Sequence, residues 1–417
     1  MAGRFTFIDL FSGAGGMSYG FHAHPAFEVL AAFDAERGKP SSPSGSLGCN
    51  ATYRLNIGIE PTAVDLSAIT EDEIQAVRDT LLGGADLDVL SACPPCTGFS
   101  RANPENHLRD DGRNSLVART GLWVRILRPK LLVMENAREM LSGNFAEHFG
   151  HLKNTLEGLG YVVHSGVHML NTFGLPQKRE RALVVASRVE GPVRSLEELW
   201  EGFTLEPASV SVRAAIEGLP VLAAGDKDPR DAWHVSPKMG GPTTDRIAAI
   251  PADGGSWRDL VDHPRMDQLM TPAMKRRVAA KKFGDHPDVY GRMAWDKPCA
   301  TIKRECSHVG NGRYAHPEQN RLCTVRELAL LQGFPRRYKF GGKSLSNMYR
   351  HIGDAVPPLI SHQLAHVAHW TLTGNKPRLR DCLLFGTPLE HAVIDPPEPP
   401  AVQIGLFGSG PAVANQP

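Results

Sequence analysis

The stretch that most constrains the fold of this chain is 91–100, which reads Ser-Ala-Cys-Pro-Pro-Cys-Thr-Gly-Phe-Ser. The apolar run 87–90 precedes it and is typical of a buried strand. Neither Pro94 nor Pro95 can donate a hydrogen bond to a sheet, so the strand must end here. Parallel α/β sheets bind ligands outside the carboxyl ends of their strands. The stretch therefore predicts such a sheet, with Cys96 at its functional edge.

Cys96 has two chemical interpretations. Its thiol can act as a nucleophile if a neighbour lowers the thiol pKa or protonates the product. Cys93 and Cys96 also form a C-x-x-C pair, which is typical of half a zinc site or of a redox dithiol. No second pair follows at zinc-finger spacing, since Cys299 and Cys306 are distant in the chain. Gly98 predicts a loop after the two cysteines, whereas a redox dithiol normally lies at the start of a helix. On this stretch alone the two interpretations are about equal.

Size and composition narrow the class of protein. A chain of 417 residues can hold one large and one smaller domain. Its net charge of +1 excludes a globally basic protein that coats nucleic acid, but it leaves room for a local basic groove. No apolar run approaches about 20 residues, so no membrane span is expected. Seven cysteines, in a chain whose first strand leaves no room for a signal peptide, predict reduced thiols and a cytoplasmic protein.

Three features at successive strand ends favour a nucleoside site. A strand at 5–10 runs into the glycine-rich turn 11–17, where backbone can approach a ligand closely. Asp34 ends the second strand, where an acid can bind ribose hydroxyls. Asp65 could bind an adenine amine in the same way. Each acid alone is more often a helix cap or a surface carboxylate. Between the two acids, 37–48 is rich in Ser, Gly and Pro, and predicts a flexible inserted loop.

The strand that follows Cys96 in the chain also ends on an acid. A helix at 115–127 leads to a buried strand at 131–134, which ends on Glu135. One crossover separates this strand from the strand before Cys96, so the two ends are predicted to be neighbours at one edge of the sheet. A thiol beside a carboxylic acid suits attack on an electron-poor ring, with protonation on its far side.

Arginines alternate at the start of a further strand. Arg179 and Arg181 can point together toward a phosphate or a carbonyl. A solvated charged turn shows the same pattern, and these residues alone favour the turn.

The alternation of strands and helices stops between 190 and 320, which predicts a separate, irregular region. A basic run within it could follow phosphates or form a solvated helix face. This run includes Lys275, Arg276 and Arg277. A helix then returns, with Thr324 as its N-cap and Glu327 completing a capping box.

Together these segments resemble the cytosine-5 DNA methyltransferase family. The resemblance covers, in order, 7–21, 88–100, 113–136, 177–181, 291–335 and 348–364. Its most specific parts are Pro94-Pro95-Cys96 with Glu135-Asn136, and Gln177-x-Arg179-x-Arg181. It implies an α/β, doubly wound, Rossmann-like class I methyltransferase sheet with a smaller, irregular target recognition domain. The implied segments are a catalytic and cofactor-binding part (1–189), a target recognition region (190–320), returning C-terminal helices (321–375) and a flexible Pro-rich tail (376–417).

The resemblance also implies a reaction. Cys96 would attack carbon 6 of a cytosine flipped out of duplex DNA, and carbon 5 would take the methyl group of S-adenosyl-L-methionine. Glu135 would hydrogen-bond or protonate the ring nitrogen. Arg181, supported by Arg179, would hold the base carbonyl or a nearby phosphate. The implied cofactor residues are Phe11, Gly13, Gly15, Gly16, Asp34, Asp65, Pro95, Leu116, Asp354 and Ala355. The implied DNA contacts are Ser100, Arg101, Lys275, Arg276 and Arg277, and no metal is expected.

Some positions depart from the family pattern. Ala35 stands where a larger side chain often covers the adenine, so a weaker cofactor affinity is expected. Asp354 stands where Asn is common, which adds a charge beside the pocket. Outside the pattern, Gln403-Ile404-Gly405-Leu406-Phe407 is similar to peptides that dock into the bacterial sliding clamp.

The resemblance leaves other interpretations open. The expected partner is duplex DNA, with a restriction endonuclease as a further candidate, and a monomer is expected. There are two alternatives: an enzyme that carries out the same chemistry on RNA, and a catalytically inert relative that binds DNA. The long region before residue 321 argues for reading the grooves of duplex DNA.

Overall fold

The computed structural model describes residues 3–39, 42–95, 115–282, 288–342 and 344–395. Cys96, Ser100 and Arg101 lie outside the described residues, and so does the peptide 403–407. Within these ranges, no helix combines the length and the apolar character that crossing a membrane requires.

A seven-stranded sheet organises the molecule. Its strands in chain order are β1 (Phe5–Leu10), β2 (Phe27–Asp34), β3 (Thr62–Ala63), β4 (Val89–Ala92), β5 (Leu131–Ala137), β6 (Val162–Met169) and β7 (Glu180–Ser187). They lie in the order β3-β2-β1-β4-β5-β7-β6. Strands β1 to β5 pair in parallel, and β7 runs antiparallel to both of its neighbours. The strand order reverses between β1 and β4, which is where an open α/β sheet forms its ligand crevice. The predicted doubly wound sheet is confirmed.

Helices connect and cover these strands. In the described residues they are α1 (Gly16–Ala23), α2 (Cys49–Ile57), α3 (Glu71–Leu82), α4 (Ser115–Leu127), α5 (Glu139–Ser142), α6 (Glu147–Gly158), α7 (Leu196–Trp200), α8 (Val212–Ile216), α9 (Gly241–Ala249), α10 (Met266–Leu269), α11 (Pro272–Ala279), α12 (Val325–Leu331), α13 (Leu345–Asp354) and α14 (Pro358–Thr373). Helix α4 covers the predicted range 115–127, and β5 starts at the predicted residue but extends three residues further. Every residue of β4 and β5 is buried, as expected for central strands covered on both faces.

Helix α14 returns the C-terminal part of the chain to the sheet. It packs against α1 so closely that a Cβ on Gly20 would lie 2.2 Å from the backbone nitrogen of His362. The Ser361 hydroxyl joins the two helices, since it accepts the Gly20 N–H at 3.1 Å and donates to the Gly16 carbonyl at 2.9 Å. The start and the end of the catalytic part therefore form one packed unit.

We predict that Gly20→Ala destabilises the protein by about 3 kcal/mol, because the added methyl group must push backbone atoms apart. The matched control is Gly150→Ala within α6, where an added Cβ would meet nothing within 4 Å. There the helix propensity of alanine should instead raise stability by up to about 1 kcal/mol. Urea unfolding of both variants measures the difference, and equal effects would contradict the close packing.

The described residues of the region 190–320 form short helices, two-residue strands and loops, and their buried side chains do not form a separate core. These side chains, such as Trp257 and Met293, belong to the same cluster as Phe7 of β1 and Val133 of β5. Short strands outside the main sheet pair Gln177–Lys178 with Cys299–Ala300, Thr204–Leu205 with Ile394–Asp395, and Arg37–Lys39 with Ser42–Ser46.

Two predicted irregular segments need correction. Within the predicted flexible loop 37–48, the described residues 37–39 and 42–46 pair as two short antiparallel strands. The tail predicted from 376 is packed as far as 395, because Cys382, Leu384 and Leu389 are buried. Leu389 covers Gly174, where a Cβ would lie 2.3 Å from its side chain.

The predicted capping box at the start of α12 is confirmed. Thr324 accepts the Glu327 N–H at 3.1 Å, and the Glu327 carboxylate accepts the Thr324 N–H at 2.7 Å. The same carboxylate pairs with both terminal nitrogens of Arg321, at 2.7 and 2.8 Å, and both side chains are fully buried. Burial alone would raise the pKa of Glu327, but Arg321 and His316 lower it overall. The carboxylate is therefore charged and compensated.

We predict that Arg321→Met lowers the free energy of unfolding by about 3–5 kcal/mol, because it leaves the Glu327 charge buried without its partner. Arg378→Met is the control, since Arg378 pairs with Asp381 at 2.9 Å but is 85% exposed. Its loss should have little effect on stability, because the pair is exposed to solvent. Thermal and urea unfolding measure both variants, and a similar cost for the two would disprove the special role of burial.

Candidate functional site

A cavity of about 460 Å³ lies at the carboxyl edge of the sheet, at the point where the strand order reverses. Its lining comes from the residues that follow β1 to β4, from β5, and from the segment between α13 and α14. The lining includes every predicted cofactor residue except Gly15, namely Phe11, Gly13, Gly16, Asp34, Asp65, Pro95, Leu116, Asp354 and Ala355. The residues that the resemblance implied for the cofactor therefore line one cavity, although they come from segments more than 300 residues apart.

The turn after β1 has the backbone conformation that its glycines allow. Gly13 and Gly15 have φ angles of 50° and 91°, in the left-handed region that favours glycine. Gly15 lies outside the lining and packs on Tyr53 and Tyr338, whose atoms would be 3.1 and 3.2 Å from an added Cβ. Gly16 allows the C-terminal segment to approach, since a Cβ there would lie 2.2 Å from the Val356 carbonyl oxygen.

The two predicted nucleoside acids are held differently. Burial raises the pKa of Asp34 overall. The N–H groups of Glu36 and Gly13, which donate to its two oxygens at 2.7 and 2.9 Å, oppose this rise without cancelling it. Asp65 is more exposed. Its pKa is lowered overall because hydrogen bonds from Ser67 and the charge of Arg37 outweigh the effect of burial. Both acids present oxygen acceptors to the cavity.

The strand ends after β4 and β5 are neighbours, as predicted. Val89 pairs with Leu131 in parallel register, and at the edge the Asn136 amide donates to the Pro94 carbonyl at 3.0 Å. The Glu135 N–H donates to the Cys93 sulfur at 3.4 Å. Burial, and then the charge of Glu135, raise the pKa of Cys93 well above that of an ordinary thiol. Cys93 is therefore a protonated thiol at neutral pH.

Glu135 lies in the cavity wall with two arginines. It is 7% exposed, and its Oε1 lies 2.9 Å from Nε of Arg181 and 3.9 Å from Nε of Arg179. Arg179 also donates to the carbonyls of Ile302 and Ala355, each at 3.2 Å. These arginines are buried or nearly so and hold a carboxylate, so the alternative of a solvated charged turn is wrong.

Asp354 has a partner that the sequence analysis missed. Nε of Arg304 lies 2.9 and 2.8 Å from its two carboxylate oxygens, and both residues line the cavity. Gly353 permits the approach, because a Cβ there would lie 2.3 Å from the Lys303 carbonyl oxygen. The charge at Asp354 is therefore compensated within the chain.

The remaining predicted residues lie elsewhere. Lys275, Arg276 and Arg277 lie on α11 and do not line the cavity. Lys275 pairs with Asp267 at 3.0 Å, and Arg276 is exposed. Arg37, which does line the cavity, was also missed, because it belongs to a segment that predicted only a loop. In the described part of the chain, no group of three or more His, Cys, Asp or Glu side chains is arranged to hold a metal ion.

Comparisons with known proteins agree on one family. The sequence model described as C-5 cytosine-specific DNA methylase matches residues 5–369. Type II methylase M.HgiDII of Herpetosiphon aurantiacus is 31% identical over 379 residues, which cover 89% of this chain and 97% of that protein. Type II methyltransferase M1.HphI of Haemophilus parahaemolyticus is 30% identical over 365 residues, which cover 86% of this chain and 85% of that protein.

A solved structure confirms the fold. An Escherichia coli prophage protein assigned as a DNA modification methyltransferase superposes with a TM-score of 0.61 at 21% identity. The superposition covers 89% of this chain and all of that chain. The seven-stranded mixed sheet described above is thus a class I methyltransferase sheet.

Proposed function

The chain belongs to the C-5 cytosine-specific DNA methylase family, and on this basis we propose that it transfers a methyl group from S-adenosyl-L-methionine to carbon 5 of a flipped-out cytosine in a specific duplex DNA sequence. The observation that carries the mechanism is the Glu135 carboxylate, held 2.9 Å from Arg181 in the wall of a cavity that also exposes Pro94 and Pro95. Cys96 directly follows Pro95 in the sequence, which supports an acid that acts close to this thiol.

The cavity suits the proposed cofactor. Its volume of about 460 Å³ falls in the usual range for a site that takes a small molecule. Its acidic side chains, Asp34 and Asp65, suit ribose hydroxyls and an exocyclic amine, and the apolar side chains of Leu66 and Leu116 suit a purine ring. When bound, S-adenosyl-L-methionine supplies an electrophilic methyl group.

The residues of the chain would then act in sequence on the flipped base. The Cys96 sulfur forms a bond to carbon 6 of the ring while Glu135 gives a hydrogen bond or a proton to the ring nitrogen, which makes carbon 5 nucleophilic. Arg181 holds Glu135 and contacts the base carbonyl, and Arg179 fixes the surrounding backbone. After methylation, a base such as water takes the proton on carbon 5, the electrons of that bond restore the double bond between carbons 5 and 6, and Cys96 leaves as a thiolate.

DNA contacts are proposed for two places outside the cavity. Ser100 and Arg101 belong to the segment after Cys96, which would close over the flipped base. The basic face of α11, with Lys275, Arg276 and Arg277, would follow the phosphate backbone. Charge on such a face adds affinity but does not read sequence, so base-reading residues lie elsewhere in 190–320.

Bisulfite sequencing of plasmid from expressing cells tests the function, because it reports methylation and its target together. Purified protein with tritiated cofactor should label duplex DNA and leave tRNA unlabelled. Labelling of tRNA instead of DNA would show that the substrate is RNA. No labelling of either would favour a catalytically inert protein that binds DNA.

Other partners follow from the type II relatives and from the C-terminal peptide. One proposed partner is a restriction endonuclease that cuts the same target, in which case this protein would be the modification enzyme of the pair. The proposed location is the nucleoid in the cytoplasm, and the proposed oligomeric state is a monomer. The peptide 403–407 would bind a sliding clamp. Equal retention of full-length protein and a Leu406→Ala, Phe407→Ala variant on immobilised clamp would refute that part.

A further inference from the structure

A positively charged side chain, that of Arg37, lies at the mouth of the cavity. Arg37 follows β2 by three residues, lines the cavity, and has a side chain that is 68% exposed. Its guanidinium contacts the Asp65 carboxylate. The other oxygen of Asp65 accepts the N–H and the hydroxyl of Ser67, at 3.0 and 2.7 Å. Arg37 is therefore paired with Asp65 at the end of the cavity where the adenine is expected.

The local backbone directs Arg37 over the cavity. Glu36 has a φ angle of 48°, which turns the chain sharply after β2. Its N–H donates to Asp34 at 2.7 Å, while its carboxylate accepts from the Asn50 N–H at 2.8 Å and the Ser46 hydroxyl at 3.0 Å. These three contacts fix the direction in which the chain leaves the strand, so the position of Arg37 is built into the fold.

A purine in this end of the cavity needs a surface on each face. Leu66 and Leu116, both buried, supply apolar surface to the lining. Ala35, which follows Asp34 and also lines the cavity, offers only a methyl group. The guanidinium of Arg37 is planar and weakly hydrated, and such groups stack on the faces of aromatic rings.

We propose that Arg37 covers the outer face of the adenine of the bound cofactor, with Asp65 holding the guanidinium in place. The inference rests on the proposed function, because it takes S-adenosyl-L-methionine as the ligand of this cavity. Asp65 then has two partners, the guanidinium and the exocyclic amine of the adenine. Arg37 supplies the surface that Ala35 is too small to supply.

The test is calorimetric titration of S-adenosylhomocysteine into the full-length protein and its variants. Arg37→Ala should weaken binding by about 5-fold to 20-fold. Arg37→Lys should weaken it nearly as much, because lysine retains the charge but lacks the flat group. Adenosine alone should lose affinity by the same factor as S-adenosylhomocysteine, since the lost contact is with the base.

The matched control is Arg54→Ala on α2. Arg54 also forms an exposed ion pair, with Glu60 at 2.9 Å, and is 60% exposed, but it does not line the cavity. Its replacement should leave binding unchanged.

Each other outcome is decisive. Tighter binding by Arg37→Ala would show that the pair of Arg37 and Asp65 blocks the adenine. Unchanged binding would show that Arg37 does not contact the adenine. Either result overturns the inference. A loss confined to S-adenosylhomocysteine would place Arg37 at the amino-acid end and also overturn it. If the wild-type protein binds neither ligand, the proposed function itself fails and the inference fails with it.

Discussion

Replacing Glu135 by glutamine is expected to lower the rate of methyl transfer to duplex DNA by about 10²-fold to 10⁴-fold. The amide keeps the size of the side chain and its position beside Arg181, whose Nε lies 2.9 Å from the carboxylate. It cannot give a proton to the ring nitrogen, and its weaker hydrogen bond no longer favours attack at carbon 6. Single-turnover transfer of a tritiated methyl group at saturating cofactor measures the chemical step.

Glu180→Gln is the matched control for this prediction. Glu180 lies on the same strand as Arg181 and also pairs with an arginine, Arg138, at 2.9 Å, but its side chain is 36% exposed and does not line the cavity. Its replacement should leave the rate within about twofold, as expected for an exposed pair. Unfolding of both variants is measured too, because neutralising Glu135 leaves Arg181 partly buried without its counter-charge. A Glu135→Gln protein that is folded, binds S-adenosylhomocysteine and transfers methyl groups at the normal rate would remove Glu135 from the mechanism.

The second large effect concerns Cys96. A duplex with 5-fluorocytosine at the target should form a complex with the wild-type protein that survives denaturation, provided that the methyl donor is present. The reason is that fluorine on carbon 5 cannot leave as the proton does, so the bond from sulfur to carbon 6 is not released. Cys96→Ser should form no such complex, because the serine hydroxyl is a far weaker nucleophile at neutral pH than a thiol.

Cys382→Ser is the control for the loss of a thiol, since the Cys382 sulfur donates to the Arg378 carbonyl at 3.4 Å and a hydroxyl can do the same. It should be trapped as efficiently as the wild type. Trapping of Cys96→Ser at the wild-type level would rule out the covalent mechanism. Stoichiometric zinc bound through Cys93 and Cys96 would instead support the C-x-x-C interpretation.

Several parts of the site could be predicted from local patterns. The two prolines after the apolar run located the end of β4, and the apolar run before Glu135 located β5. One crossover between them was enough to predict that the two ends are neighbours, because strands that follow each other in the chain usually lie side by side in a sheet. Thr324 and Glu327 predicted a helix start, because a capping box is encoded within four residues.

Other contacts depended on how distant segments meet. Arg181 reaches Glu135 because β7 inserts antiparallel beside β5, with Leu183 opposite Glu135. Arg304 meets Asp354, and Arg37 meets Asp65, across loops whose paths no periodicity specifies. The hairpin at 37–46 and the packed segment 379–395 were missed for the same reason, since their order comes from contacts with the rest of the fold.

Turn residues, apolar periodicity and caps act over a few neighbours, so the amino-acid order alone specified the end of β4, the start of β5 and the helix that begins after Thr324. It did not specify which charges are neutralised. A salt bridge depends on strand order, register and burial, which are properties of the packed chain. Only the folded structure therefore decided that Glu135 is held by Arg181, that Asp354 is balanced by Arg304, and that Arg37 stands over the cavity.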